Sequence, residues 1–233
     1  MNNLSVMSFY ESLGEKLIDE ANYPEDIKVF LDRERMVVSS LLSEGKYRTF
    51  VECGCMHGRN LWILDEFPAV NYIGIDIVNE FIKRAENNIS TLLYKKRALA
   101  IKIAAEEFVI KNYIKNIGQS KTVCFFPFNS FGNATQPKKI LKNLQQQKLN
   151  IAISTYKNTV ESILMRLSYY KNCNYKNIVT KSTKYGTRFL SEDGLNSTSY
   201  SLDFFKNNLI QDYSLQQFEF SESGVLFLIT TDY

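Results

Sequence analysis

The sequence predicts an α/β fold: a doubly wound, seven-stranded, mostly parallel sheet ending in an antiparallel hairpin, with an N-terminal helical cap and a small β insertion. Five short apolar runs, at 50–53, 72–75, 98–103, 122–126 and 150–154, alternate with helical patterns. Such alternation requires right-handed crossovers and a parallel sheet with both faces covered. At the far end LQQFEF, the turn SESG and VLFLIT make two strands that must run antiparallel, because so short a turn leaves no room for a crossover. No repeat, low-complexity tract or Pro/Gly/Ser-rich linker divides the 233 residues, so a single domain is expected, and 45% apolar residues supply its core.

Residues 1–46 read as the helical cap. Phe9, Leu13 and Leu17 fall at four-residue steps, and Val29, Phe30, Met36, Val37, Leu41 and Leu42 form a second stripe. Residues 22–25 turn between the two helices, with Pro24 near the first turn of the second. Residues 47–156 form the core. Between its five strands the patterns predict helices over 59–67, stopped by Pro68, then over 79–94, 106–116 and 138–147. Residues 157–200 form the insertion: a helix over 160–170, then a strand pair over 178–189, rich in Thr, Tyr, Ser and Lys and broken at Gly186. Residues 201–233 finish the chain with a helix over 201–209 and the hairpin.

The net charge of +3 comes from 28 basic and 25 acidic residues, interspersed along the chain. No long basic face announces a nucleic-acid partner, and the lysines at 138–142 and 171–184 read as solvated faces. Cys53, Cys55, Cys124 and Cys173 include no C-x-x-C, and His57 is the only histidine, so no metal site is expected. Thiols inside apolar runs suit a reducing compartment. No basic leader followed by an apolar core and no bilayer-length apolar stretch is present, so a cytoplasmic protein without membrane contact is expected. The sequence sets no oligomeric state.

The chemistry is concentrated in FVECGCMHGRN, residues 50–60, and YIGIDIVNEF, residues 72–81. A glycine turn lets backbone approach a ligand, and a helix following it directs free N–H groups to the same place. Asp76, 22 residues after Gly54, closes the second strand, where an acid can accept both hydroxyls of a ribose. A dinucleotide fingerprint would need glycines where Met56 and Arg59 stand, which disfavours NAD.

The spacing instead resembles the acid-x-Gly-x-Gly-x-Gly turn of class I S-adenosylmethionine (SAM) methyltransferases, with Glu52, Gly54 and Gly58 in register and Met56 at the central glycine. A terminal antiparallel strand is also a mark of that family. CFFPFNSFGN, residues 124–133, is similar to an F-N-S-F-G segment of its small-molecule members and unlike the N-P-P-Y of enzymes acting on DNA bases or protein glutamine. YGTRFLSEDGLNSTSYS, residues 185–201, looks like a stretch that precedes the last helix in such members. The resemblance runs from about residue 47 to the C-terminus.

That resemblance implies roles. Gly54, Cys55, Met56, His57 and Gly58 would wrap the methionine and ribose of SAM, with Glu52 below the turn holding the amino group. Asp76 would take the ribose hydroxyls, Ile77 would pack on the adenine, and Ala105 and Glu106 would meet its amino group. Pro127 would lie by the transferable methyl. Phe128 and Phe131, with Arg188 and Tyr200, are candidates for acceptor contacts, Arg188 equally for an anchor to Glu192 or Asp193. Tyr10 and Asn129 are the candidate catalytic residues. The implied activity is methyl transfer to a small-molecule acceptor. Nitrogen is favoured over oxygen because no His or acid pair follows the fourth strand to serve as base. The alternative, motivated by Met56, is a SAM-fold binding or partner protein without transferase activity.

Overall fold

Thr49–Cys53 (β1) and Thr122–Phe126 (β4) are buried at every position, as central strands covered on both faces must be. A computed structural model describes residues 6–114 and 121–231, and the expected helix end at 115–116 lies outside them. The other strands of the main sheet are Asn71–Asp76 (β2), Ala98–Lys102 (β3), Asn150–Tyr156 (β5), Tyr213–Glu219 (β9) and Gly224–Thr231 (β10). Their order is β3-β2-β1-β4-β5-β10-β9. β1 pairs in parallel with β2 and β4, β2 with β3, and β4 with β5, whereas β10 runs antiparallel to both β5 and β9. The predicted seven strands and the one reversed strand are both present.

Alternation along each strand sends side chains to two cores. Phe50, Val123 and Phe125 pack on one face with Leu41, Ile63 and Ile82. Val51, Cys53, Cys124 and Phe126 pack on the other with Ile140, Leu144, Phe204 and Phe205. The helices that cover these faces are Glu25–Ser43 (α2), Ile63–Glu66 (α3), Asn79–Thr91 (α4), Pro137–Gln146 (α5) and Leu202–Lys206 (α7), while Val6–Leu13 (α1) and Val160–Asn172 (α6) pack elsewhere. Pro24 stands at the N-cap of α2, as its fixed φ favours. A third cluster of Phe9, Leu17, Ile27, Phe30, Tyr156 and Tyr169 joins the cap to α6.

Two expected helices are not formed. Over 59–67 the chain makes turns and only the four-residue α3. Buried Glu52 captures the Asn60 backbone N–H at 3.3 Å and its side-chain amide at 2.6 Å, while Trp62 Nε1 donates to Asn60 Oδ1 at 3.0 Å. These bonds compete with a helical ladder. Over 106–114 there is one 3-10 turn, Ile110–Asn112. Gln147 accepts from the Ile110 N–H at 2.9 Å and donates to the Phe108 carbonyl at 2.7 Å, and Asn143 donates to the same carbonyl at 2.9 Å. The segment's backbone is thus satisfied from α5 and its end, and Phe108 and Ile110 are both buried.

The insertion is larger than the predicted strand pair. Val179–Thr183 (β6), Gly186–Leu190 (β7) and Asn196–Tyr200 (β8) form a separate antiparallel sheet in the order β6-β7-β8. Gly186, at φ +138°, faces β8 so closely that a Cβ would stand 1.9 Å from the Ser199 carbonyl oxygen.

Candidate active site

A cavity of about 400 Å³ opens beyond the carboxyl ends of the parallel strands, where ligands bind in such sheets. Its volume falls in the range of small-molecule sites, about 300–1,000 Å³. Gly54 and Met56 after β1, Asp76 and Ile77 at the tip of β2, and Ala104, Ala105 and Glu106 after β3 line one end. Pro127, Phe128, Asn129 and Ser130 follow β4 along the wall. Tyr156, Tyr169, Tyr170, Leu195 and Ser197 line the other end, and Tyr10 and Leu17 come from the cap.

Gly54 sits at φ +82°, and a Cβ there would meet Ser130 Cβ at 3.0 Å. Met56 is also left-handed, at φ +51°, and its N–H donates to Asp76 Oδ2 at 3.0 Å. Asp76 Oδ1 accepts from the Val78 N–H, also at 3.0 Å. Burial pushes the Asp76 carboxyl above its ordinary value, and the backbone N–H groups counter that. The Ile77 N–H acts on it as well, and a carboxylate's acceptor sites, about four, exceed these backbone donors.

Several sequence-derived candidates lie outside the cavity. Glu52 is wholly buried beneath the turn, with its oxygens taken by Asn60 and by the Tyr72 hydroxyl, so it braces the turn instead of reaching a ligand. Cys55 points into the core against Gly74. Gly58 sits at φ +86°, a left-handed conformation that favours glycine. His57 is half-buried, and its carbonyl accepts from Asn88 Nδ2 at 2.8 Å. Burial, with Arg59 and Arg84, lowers its imidazole's pKa.

On the acceptor side Phe131 is core, edge-on to Phe126 at 5.2 Å. Tyr200 stacks on Phe204 at 4.0 Å. Arg188 Nε donates to Asn196 Oδ1 at 2.8 Å, which replaces the expected anchor to Glu192 or Asp193. Asn129 lines the cavity, but its side chain is committed: Oδ1 accepts from Thr155 Oγ1 and Nδ2 donates to Ser197 Oγ at 2.9 Å. It ties the segment after β4 to β8.

Three features in or behind the cavity wall escaped the motifs. Arg59 lines the wall with its guanidinium 4.9 Å from the centre of the Phe128 ring. Glu34 on α2 is buried and accepts the Phe128 N–H at 2.7 Å. Burial raises the Glu34 carboxyl, with Arg59 opposing. Tyr156, Tyr169 and Tyr170 make the far wall aromatic. Burial pushes the hydroxyls of Tyr10, Tyr156 and Tyr169 well above their ordinary value, so these phenols remain protonated donors near neutrality.

No family model and no curated sequence matches the chain. Solved structures do. Magnesium protoporphyrin IX methyltransferase (ChlM) from Synechocystis PCC 6803, with bound SAH, is 12% identical and superposes with a TM-score of 0.63 over 97% of this chain and 98% of that one. The CcbJ methyltransferase from Streptomyces caelestis is 11% identical, with a TM-score of 0.60 over 99% of this chain and 100% of that one. The methyltransferase domain of bacterial CtHen1 gives 12% identity and a TM-score of 0.57 over 86% and 99%. The chain therefore has the class I methyltransferase fold. Among the described residues no helix is long and apolar enough to cross a membrane, and no cluster of three or more His, Cys, Asp or Glu could hold a metal ion.

Proposed function

We propose that the chain is a SAM-dependent methyltransferase acting on a small molecule, with nitrogen favoured over oxygen as acceptor and no nucleic-acid substrate. The observation that carries this reading is Asp76 at the tip of β2, in the wall of one cavity with the glycine turn and the aromatic far end. The residues present fit the cofactor. Asp76 retains acceptor capacity for a ribose hydroxyl, Gly54 opens space that a Cβ would fill, and Ile77 and Ala105 offer apolar surface to the adenine. SAM, when bound, supplies a sulfonium-activated methyl and a good leaving group.

The chain's own share is orientation and exclusion of water. Aligning acceptor and methyl can supply on the order of 7 kcal/mol or more. Phe128, Tyr156 and Tyr169 shape the acceptor end, Tyr10 closes it from the cap, and the insertion contributes Ser197. Protonated phenols at Tyr10, Tyr156 and Tyr169 and the lack of a cavity histidine leave no strong base there. An amine arriving in its neutral form needs none.

Met56, a side chain at the cavity wall in a backbone conformation that favours glycine, supports a second reading, a SAM-fold binding protein without transferase activity. Calorimetry with SAM and SAH tests both. Binding that drops at least about tenfold in Asp76→Ala supports the ribose assignment. Absence of binding of either compound overturns both readings. Binding without turnover over a panel of small amines and phenols favours the second.

A further inference from the structure

Arg166, on α6, is a buried cation with no acid beside it. It is 1% exposed and lies 4.6 Å from the Tyr156 ring centre and 4.3 Å from that of Phe189. Its guanidinium donates only to neutral oxygens: Ser199 Oγ at 3.0 Å, Ser197 Oγ at 3.1 Å, the Ser197 carbonyl at 3.2 Å and the Tyr170 hydroxyl at 3.3 Å. Among the described residues it forms no ion pair. Glu34, which also acts on Tyr156, is opposed to Arg59 and bonded to the Phe128 N–H. Ring faces and neutral oxygens stabilise the guanidinium but bring no opposite charge, and its Nε is buried with no hydrogen-bond partner among the described residues, so an anion nearby would be favoured.

The hydroxyls in front of it point to where. Ser197 and Tyr170 both line the cavity. Ser197 Oγ receives bonds from Arg166 and from Asn129 Nδ2, and the Tyr170 hydroxyl donates to it at 3.2 Å. With the Tyr170 proton given to Ser197 Oγ, the Ser197 hydroxyl proton is left over. Among the described residues that proton meets no acceptor.

We propose that this corner of the cavity binds a carboxylate of the methyl acceptor. The spare hydroxyl proton donates to a carboxylate oxygen, and Arg166, acting through Ser197 and Tyr170, balances the charge from behind. Arg166 is thus a positioning residue. Phe128, Tyr156 and Tyr169 receive the body of the molecule, which makes the acceptor a small apolar or aromatic acid carrying the amine. Its identity as acceptor rests on the methyltransferase reading; the carboxylate site does not.

The test is titration of matched pairs, benzoate and benzamide, phenylacetate and phenylacetamide, L-phenylalanine and its amide, with and without SAH. At least one acid should bind about tenfold or more tightly than its amide. Ser197→Ala combined with Tyr170→Phe, and separately Arg166→Met, should bring that ratio to within about threefold while SAH affinity is kept, and Arg166→Lys should restore part of it. If Arg166→Met does not fold, the double variant decides alone. No acid preferred over its amide, or a ratio unmoved in the variants that fold, overturns the proposal. So does a loss of SAH affinity in them, which would assign the corner to the cofactor's own carboxylate. Wild type that discriminates acid from amide but binds no SAH fails the methyltransferase reading alone.

Discussion

The backbone N–H of Met56 donates to Asp76 Oδ2 at 3.0 Å, so the turn after β1 and the tip of β2 are fastened together in the cavity wall. The bond is main-chain and does not depend on the Met56 side chain. Met56→Gly removes a left-handed cost of about 1–2 kcal/mol and adds about 0.5–1 kcal/mol of unfolded-state freedom. Stability measured in urea should stay level or rise by up to about 1 kcal/mol, and SAH affinity should hold within about threefold. A tenfold change in affinity would mean that the side chain governs the cofactor end.

Glu34 reaches from α2 to the segment after β4, where its Oε1 accepts the Phe128 N–H at 2.7 Å in a buried setting. Glu34→Ala leaves that N–H without a partner and should cost about 1–3 kcal/mol in chemical denaturation. Glu34→Gln keeps an acceptor oxygen and should recover most of the loss. Equal losses in both variants would show that charge, not the hydrogen bond, holds the cap.

The sheet was legible because its signals are local: short apolar runs, and a turn too short for a crossover. The missing helices were not, because distant side chains decided them. Glu52 takes the backbone of Asn60, and Asn143 and Gln147 take that of Phe108 and Ile110. Gly54 and Asp76, which a motif joins, both line one end of the cavity, while Cys55, His57 and Gly58 share the motif but lie outside the lining. The far end of the cavity is lined from α6 and braced from α2 through Glu34, and no local pattern fixes the placement of either helix. One signal was present there. Ile27, Phe30, Glu34, Val38 and Leu41 form a single buried stripe at helical spacing, and an acid within such a stripe marks a buried polar contact.

Gly132 lies where the segment after β4 meets β8, and a Cβ there would stand 1.9 Å from the Thr198 carbonyl oxygen and 2.6 Å from the Asn129 amide. Backbone on one side and a side chain bonded at both Oδ1 and Nδ2 on the other cannot both retreat. Gly132→Ala should destabilise by about 3 kcal/mol or more, a size that strain of this kind reaches. The thermal midpoint should fall accordingly, and the ligand-binding loss should track unfolding. A variant as stable as wild type would show that the two segments separate freely.

Glu52 makes stability depend on pH in a direction opposite to that of a salt-bridged acid. Burial raises its carboxyl from 4.5 to about 7, despite bonds from Tyr72 and Asn60 that favour the ionised form. Between those values the folded chain holds a proton that the unfolded chain has lost, so stability falls as pH rises through this window. Below 4.5 both states are protonated, and above about 7 both are ionised, so the slope vanishes at either side. The contribution is on the order of 3 kcal/mol. Burial also raises Glu34 and Asp76, which add slope of the same sign, so the informative quantity is the difference between wild type and Glu52→Gln. Urea denaturation from about pH 5 to pH 8 should show wild type losing stability more steeply than Glu52→Gln, whose amide keeps an acceptor for Tyr72 and cannot ionise. Parallel curves would mean that Glu52 is already ionised in the folded chain at pH 5, and that the bonds from Tyr72 and Asn60 outweigh its burial.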